Sequence, residues 1–484
     1  MLIAFIAAIS LSAADSIAGD YSVRIVPGPA LHAEVVAHFA SADTVRMGTG
    51  AIDHIPRGWA SFVENISATD SRGRRLTVTM TQDSGKAPGW IISNGQGQTT
   101  LRYNVNLKFT EENWPPGNEQ AGLWADSALF VVTKALFAAP EKRGTWRVTF
   151  DVPSSWRISS PWASAGARSF TVPNRESLLY NTVAMGKHGE FRFQSNGFDV
   201  TLAMIGKAAD GAPLVRETFE PVMREYLRVF EQTPKGRYLM TIFYGDDEDG
   251  EGFENSAAFR TKVPLIKETR LLWGNHLAHE LLHMWLGKQL RGAQQAGSEW
   301  FNEGFTEYLS NRSLLRTGMI DREDFRRKME YNISHYSYFR LSGLYDTVTV
   351  RESGRRKWRH RFGVYNGGWA AAFALDQAVD EKSQGKNGLD EVLRLMYKRR
   401  AALDQAWEWA DLVQAATDAA GSDMAPFLDR YVAGLEPLPL EASLKRLGFL
   451  LVGQTYAAEM YVLPDPAATA EARARGERFM RTVR

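Results

Sequence analysis

Three of the chain's nine histidines fall in one short run, Asn275-His276-Leu277-Ala278-His279-Glu280-Leu281-Leu282-His283. His279 and His283 are four residues apart. On a helix both imidazoles therefore project from one face and can share a metal ion. Glu280 adjoins the first of them, where it can accept a proton from a metal-activated water without binding the metal. This H-E-x-x-H spacing suits zinc-assisted hydrolysis. Catalytic zinc usually takes three protein ligands and keeps one position open for water. A third donor is available downstream in Glu299-Trp300-Phe301-Asn302-Glu303-Gly304-Phe305-Thr306-Glu307, where Glu299, Glu303 and Glu307 form one i, i+4 stripe. A carboxylate stripe alone is commonly a solvated helix face. Beside the histidines, one of the three is expected to ligate, and another, a turn away, to orient an imidazole through its second ring nitrogen. Spacing does not choose among them.

The elements that must hold these groups divide the chain in two. At 484 residues it exceeds the size of a single hydrophobic core. Residues 19–190 carry short alternating runs rich in β-branched and aromatic residues, among them YSVRIV, HAEVVAHF and WRVTFDV, and read as an all-β domain. Residues 191–450 begin with strands FDVTLAMI and YLMTIFY. An acidic glycine-rich loop, GDDEDGEGFENS, follows, and then helices at about 270–290, 299–317, 322–336, 365–381, 388–400, 407–419 and 424–433. The expected class is α+β, an N-terminal all-β domain before a mainly helical metal-binding domain, with 451–484 as a tail that reads from about 464, PDPAATAEARARGERF, as a loose terminal helix. Lys plus Arg is 57 against 56 for Asp plus Glu, which gives no sign of a nucleic-acid partner. Cysteine is absent, so disulfides, cysteine zinc sites and thiol nucleophiles are excluded. The apolar run LIAFIAAISL followed by small residues reads as a signal peptide over 1–18, although no Lys or Arg precedes it. Export to the periplasm or medium is expected, with no stable membrane insertion after cleavage. The oligomeric state cannot be read.

The motifs resemble those of a known group. The segment HELLHMWLGKQLRG at 279–292 is similar to the HExxHxWNxKRIRP of the glycyl aminopeptidases, gluzincin zinc metallopeptidases related to aminopeptidase N and leukotriene hydrolase. Trp285, Lys288 and Arg291 match, while Leu286, Gln289 and Gly292 depart. The family's LWxxEGFTDYY is similar to the run from Glu299 to Tyr308. The resemblance implies a thermolysin-like catalytic domain and one zinc per chain. It implies His279, His283 and Glu303 as ligands, and Glu307 behind them. Val364-Tyr365-Asn366-Gly367-Gly368 resembles the family's Tyr-x-Lys-Gly-Ala segment, with Gly367 in place of Lys. That implies Tyr365 as the phenol facing the developing oxyanion. The stretch from Glu251 to Ser256 resembles the GAMEN or GGLEH segment, with Glu251 where the family has Gly. It implies substrate binding by Gly252, Glu254 and Asn255, with Glu254 facing the free α-amine. The family often ends in a PDZ module, which is expected to be missing here. The basic run 355–361 is read as a solvated loop that could attract substrate carboxylates. The function these features imply is a zinc aminopeptidase acting on peptides, with small residues such as Gly or Ala at the N-terminus. An endopeptidase of the same fold and a non-catalytic peptide-binding relative are the alternatives.

Overall fold

Alternation writes the first half of the chain. Strand His32–Phe39 buries Ala33, Val35, Ala37 and Phe39 on one face, as a side-chain period of two requires. The computed structural model describes residues 17–50, 57–81, 88–93, 97–108, 122–125, 127–232, 236–342, 347–454 and 459–482. The chain separates into two units, 1–188 and 189–484. The first is built on a ten-stranded and a four-stranded sheet. In the larger sheet Ile17–Val26 lies between His32–Phe39, antiparallel, and Thr145–Asp151, parallel. Tyr21 and Tyr103 are buried, and their hydroxyls donate to the carbonyls of Ala138 (2.8 Å) and Leu136 (3.0 Å). Those two bonds tie the segment around 133–139 to the sheet. The expected leader lies outside the described residues except for Ile17 and Ala18, which open the Ile17–Val26 strand.

The second unit is α+β. Its five-stranded sheet runs, in spatial order, Gly189–Ser195, Phe198–Met204, Arg237–Tyr244, Ser256–Thr261 and Asp249–Gly252. Arg237–Tyr244 has parallel neighbours on both sides, and its inner six residues are all buried. A central parallel strand reads as a continuous apolar run for that reason. Helix Ala212–Phe230 covers the sheet with Val215, Phe219, Val222, Met223, Tyr226 and Val229. All-β followed by mainly helical is the order expected from the sequence.

Three expectations need correction. The acidic stretch read as a loop contains an edge strand, Asp249–Gly252, antiparallel to Ser256–Thr261. Its ladder outweighs the low strand propensity of Asp and Gly. The helix expected over 270–290 ends at Leu282, and Gly287, at φ +86°, then turns the chain back. The tail ends in the expected helix, Ala470–Phe479, but a hairpin that was not expected, Phe449–Gln454 with Glu459–Pro464, precedes it, and the helix is not loose. Arg312 fixes that helix: its guanidinium lies 3.9 Å from the Phe479 ring centroid and donates 2.5 Å to the Phe479 carbonyl.

Candidate metal centre

Two helices carry the centre. The histidine helix, Arg270–Leu282, is fixed from below by two buried phenols. Tyr226 donates 2.7 Å to the Ala278 carbonyl, and Tyr238 donates 3.4 Å to that of Glu280. Past its end, the indole of Trp285 stacks on Phe230 with ring centroids 5.6 Å apart. The glutamate helix, Gln295–Arg316, packs against the histidine helix. His279 and His283, a turn apart, have ring centroids 4.9 Å from each other.

Each imidazole is held by Nδ1. That of His279 bonds Glu307 Oε2 at 3.1 Å, and that of His283 bonds the Leu286 carbonyl at 3.2 Å. Donating Nδ1–H orients each ring and turns Nε2 toward the candidate metal position. Burial lowers the His279 pKa, but the hydrogen bonds to Glu303 and Glu307 outweigh it and raise it to about 10, so a metal ion binding there would displace a proton from Nε2. Both Nε2 atoms face Glu303 Oε2, at 3.2 Å from His279 and 3.7 Å from His283. His279, His283 and Glu303 are the only group of three or more metal-capable side chains found among the described residues, with donor atoms within 4.8 Å of one another. Two imidazole nitrogens and one carboxylate oxygen are a donor set that zinc accepts.

Glu307 does not compete for the metal position. Asn275 donates to both its oxygens at 3.1 Å, and Lys328 lies 3.8 Å away. Asn275 is itself gripped by Asn311, whose other side-chain atom accepts from Trp369. Burial would raise the Glu307 carboxyl, but Lys328 and the His279 and Asn275 hydrogen bonds outweigh it and hold it at about 2. It stays an anion that fixes His279.

Glu280 faces the edge strand. A β-carbon on Gly250 would lie 2.6 Å from Glu280 Oε1, and one on Gly252 would lie 3.0 Å from Oε2. Gly250 and Gly252 are two apart on a strand, so both turn the same way, and a β-carbon on either would press on Glu280. Glu280 is buried, and its Oε2 has no hydrogen-bond partner among the described residues. A buried, orphaned carboxylate oxygen beside three convergent donor atoms is what a water between Glu280 and a metal ion would satisfy. Without a metal ion, burial pushes the Glu280 carboxyl up to about 8. His279 opposes that rise, while Glu303, Asp249 and Glu251 add to it. A divalent cation at the adjoining donor atoms would draw it back down and keep it a base.

Tyr365 sits in a π-helical turn, Gly363–Gly367, leading into helix Gly368–Lys382. Such turns recur at functional sites. The approach is made at two glycines. A β-carbon on Gly304 would fall 2.3 Å from Gly368 Cα, and one on Gly368 would fall 2.1 Å from the Trp300 carbonyl. Glycine on both sides lets this helix lie on the glutamate helix beside Glu303. Burial raises the Tyr365 phenol, Glu303 adds to it and Lys357 opposes it, so the hydroxyl keeps its proton as a donor.

Lys357, in the run read as a solvated loop, was not found by sequence reasoning. Its Nζ is 2.5 Å from Glu303 Oε1 and 2.9 Å from Glu299 Oε2. Arg355, Arg356, Trp358, Arg359 and Arg361 around it are exposed as expected, while His360 is buried. Nothing in the run's composition marks Lys357 apart from its neighbours. Lys328 and Asn275 were also missed, because only the tertiary fold brings them to Glu307.

The structure thus brings together His279, Glu280, His283, Glu303, Glu307 and Gly252, with Tyr365 adjoining. Glu254 and Asn255 lie on the turn beyond Gly252. Glu254 is exposed, and Asn255 accepts 3.0 Å from the Leu239 backbone N–H through its carbonyl. Burial first, and the charge of Glu254 second, push the Tyr397 phenol up to about 12.

Two family models match the chain. That of the M61 glycyl aminopeptidases spans 274–363, which includes the three candidate ligands, and that of the peptidase M61 N-terminal domain spans 53–187. A crystal structure of an aminopeptidase N family protein from Idiomarina loihiensis superposes with a TM-score of 0.75 at 17% identity, covering 90% of this chain and 79% of that one. At that identity the likeness is one of fold. No curated protein matches in sequence.

Proposed function

We propose that this member of the M61 glycyl aminopeptidase family is a zinc-dependent aminopeptidase that removes N-terminal residues, with Gly and Ala preferred, from peptides. The observation that carries the reading is the convergence of His279 Nε2, His283 Nε2 and Glu303 Oε2 beside the buried, unpartnered Glu280 oxygen. Zinc held by those three residues would supply Lewis acidity, acidifying water toward a pKa of ~7 and polarising the scissile carbonyl.

The protein groups divide the remaining work. Glu280 takes the proton of the attacking water and returns it to the leaving amine. Tyr365 donates its hydroxyl hydrogen bond to the oxyanion as that charge develops. Glu307 holds the tautomer of His279. The edge strand Asp249–Gly252 lies along the site where an extended peptide would bind, Glu254 at its end meets the free α-amine, and Asn255 bonds the substrate backbone. We place the enzyme outside the cytoplasm, on the strength of the apolar leader. Cleavage after Ala14 leaves the Ile17–Val26 strand whole, whereas cleavage after Ala18 removes two of its residues. No helix among the described residues is long and apolar enough to cross a membrane.

The test is metal analysis with turnover of alanyl and glycyl peptides. One zinc per chain, loss of activity on chelation and its return with zinc are expected. Glu280→Gln should keep the metal and lose at least ~10² in kcat. Full activity in a metal-free preparation overturns the reading. The exposure of Glu254 favours a second reading, an endopeptidase of the same class, because a solvated carboxylate holds an ammonium weakly. Acetylating the substrate amine separates the two. An aminopeptidase loses turnover, and loses less of it in Glu254→Gln. An endopeptidase cleaves both peptides alike.

A further inference from the structure

We propose that Lys357 is a positioning residue of the metal centre, its ammonium holding one oxygen of Glu303 so that the other is presented to His279 and His283. The inference rests on the zinc reading above. The two oxygens of Glu303 are divided: Oε1 is 2.5 Å from Lys357 Nζ, and Oε2 faces the two imidazole Nε2 atoms. An unrestrained carboxylate can rotate, offer both oxygens or swing away. An ammonium on Oε1 removes those choices.

Lys357 is itself anchored. Glu299, one turn before Glu303, takes Nζ at 2.9 Å. Two like charges at i, i+4 repel on a helix, and the shared ammonium offsets that. Lysine suits the task, since its compact head has rotatable donors for two separate carboxylates. The backbone is placed to deliver it. A β-carbon on Gly354 would fall 2.2 Å from the Ala296 carbonyl and 2.7 Å from Glu299 Cβ, so the loop lies directly on the glutamate helix. Lys357, three residues on, reaches over the stripe, and its Nζ also lies 5.5 Å from the Tyr365 ring centroid.

Two effects of opposite sign make the role testable. As a nearby cation, Lys357 repels zinc, so its removal alone would tighten binding. As a positioning group it favours zinc, and loss of such an outer partner typically weakens affinity ~10–100-fold. Zinc affinity is measured by competition with a chromophoric chelator for wild type, Lys357→Met, Lys357→Gln and Lys357→Arg, with folding checked by circular dichroism. The visible spectrum of the cobalt-substituted proteins reads ligand geometry apart from stability. Lys357→Met should bind zinc ~10–100-fold more weakly with an altered cobalt spectrum. Lys357→Gln, which keeps a neutral donor, should fall between it and wild type, and Lys357→Arg, which keeps the charge but not the compact head, should restore only part of the affinity. Equal or tighter zinc binding in Lys357→Met, or an unchanged spectrum, overturns the proposal. If Lys357→Met does not fold, the sign of the change in Lys357→Gln decides. A wild type that takes up no zinc overturns the zinc reading and this one with it. Wild-type uptake with unchanged affinity in the variants removes only the role of Lys357.

Discussion

Replacing Gly250 by Ala is a small change aimed at one catalytic group. The added β-carbon would lie 2.6 Å from Glu280 Oε1, 2.9 Å from Cδ and 3.1 Å from Cγ, against about 3.4 Å for an ordinary contact. The shortfall at Oε1 is 3.4 − 2.6, or 0.8 Å. Gly250 is not among the residues with positive φ, so alanine fits the backbone there. The nearest atoms belong to the far end of a side chain, and the fold can absorb the change by moving Glu280. A displacement approaching 1 Å at a reacting group costs on the order of 10² in rate. That corresponds to about 2.7 kcal/mol of transition-state stabilisation. The assay is steady-state kcat on an alanyl peptide with zinc content measured on the same preparation. Full zinc, a thermal midpoint near wild type and a kcat ~30–100-fold lower are expected. Gly252→Ala is the contrast. Its β-carbon would lie 2.9 Å from both the Glu280 carbonyl and His283 Cβ, atoms that cannot step aside, so stability and zinc should suffer along with rate. If Gly250→Ala keeps kcat within about 2-fold at full zinc, Glu280 is not the base that the edge strand confines.

Tyr365→Phe removes only a hydroxyl, and kcat should fall ~10²–10³-fold with KM little changed, the pattern of a bond made in the transition state. An unfolded variant, or one changed only in KM, would show Tyr365 to be a packing residue. Away from the site, Asp390 pairs with Arg316 at 2.9 Å and with Arg228 at 2.5 Å. Burial raises its carboxyl, but the two guanidinium groups outweigh that and hold it well below the usual carboxylate range. Its stabilising contribution is therefore present above the unfolded value near pH 4 and is lost as pH falls through the depressed folded value. Asp390→Asn should cost about 2 kcal/mol at pH 7, since Glu225 still pairs Arg316 at 3.0 Å and Arg228 at 2.8 Å, and the variant's thermal midpoint should decline less than wild type's on acidification below pH 4. Parallel pH profiles for the two proteins would refute the linkage.

What the sequence disclosed follows from what is local. His279, Glu280 and His283 are legible because one helical turn sets both their spacing and their geometry. Glu299, Glu303 and Glu307 have identical spacing, and only the fold separates them. Lys357 arrives from 50 or more residues away to join Glu299 to Glu303, while Asn275 and His279 claim Glu307. The resemblance assigned Glu303 and Glu307 where spacing could not. Edge strand Asp249–Gly252 was illegible because its glycines make room for Glu280 and do not express strand propensity. The Phe449–Gln454 and Glu459–Pro464 hairpin was missed for a different reason. Its short alternating strands follow a long helical stretch, and nothing local distinguishes them from a tail.

The edge strand also bears on solubility. The last strand of a sheet presents unpaired main-chain groups, and an exposed row of them is a template on which other chains can stack. Here the border strand is only four residues long, two of them, Asp249 and Glu251, are acidic, and the Gly250 N–H is already taken at 2.9 Å by the Asp249 carboxylate. A short, negatively charged border makes self-association of folded copies through this sheet unfavourable. It does so without a proline or a bulge, either of which would disturb the ladder that keeps Gly250 and Gly252 against Glu280.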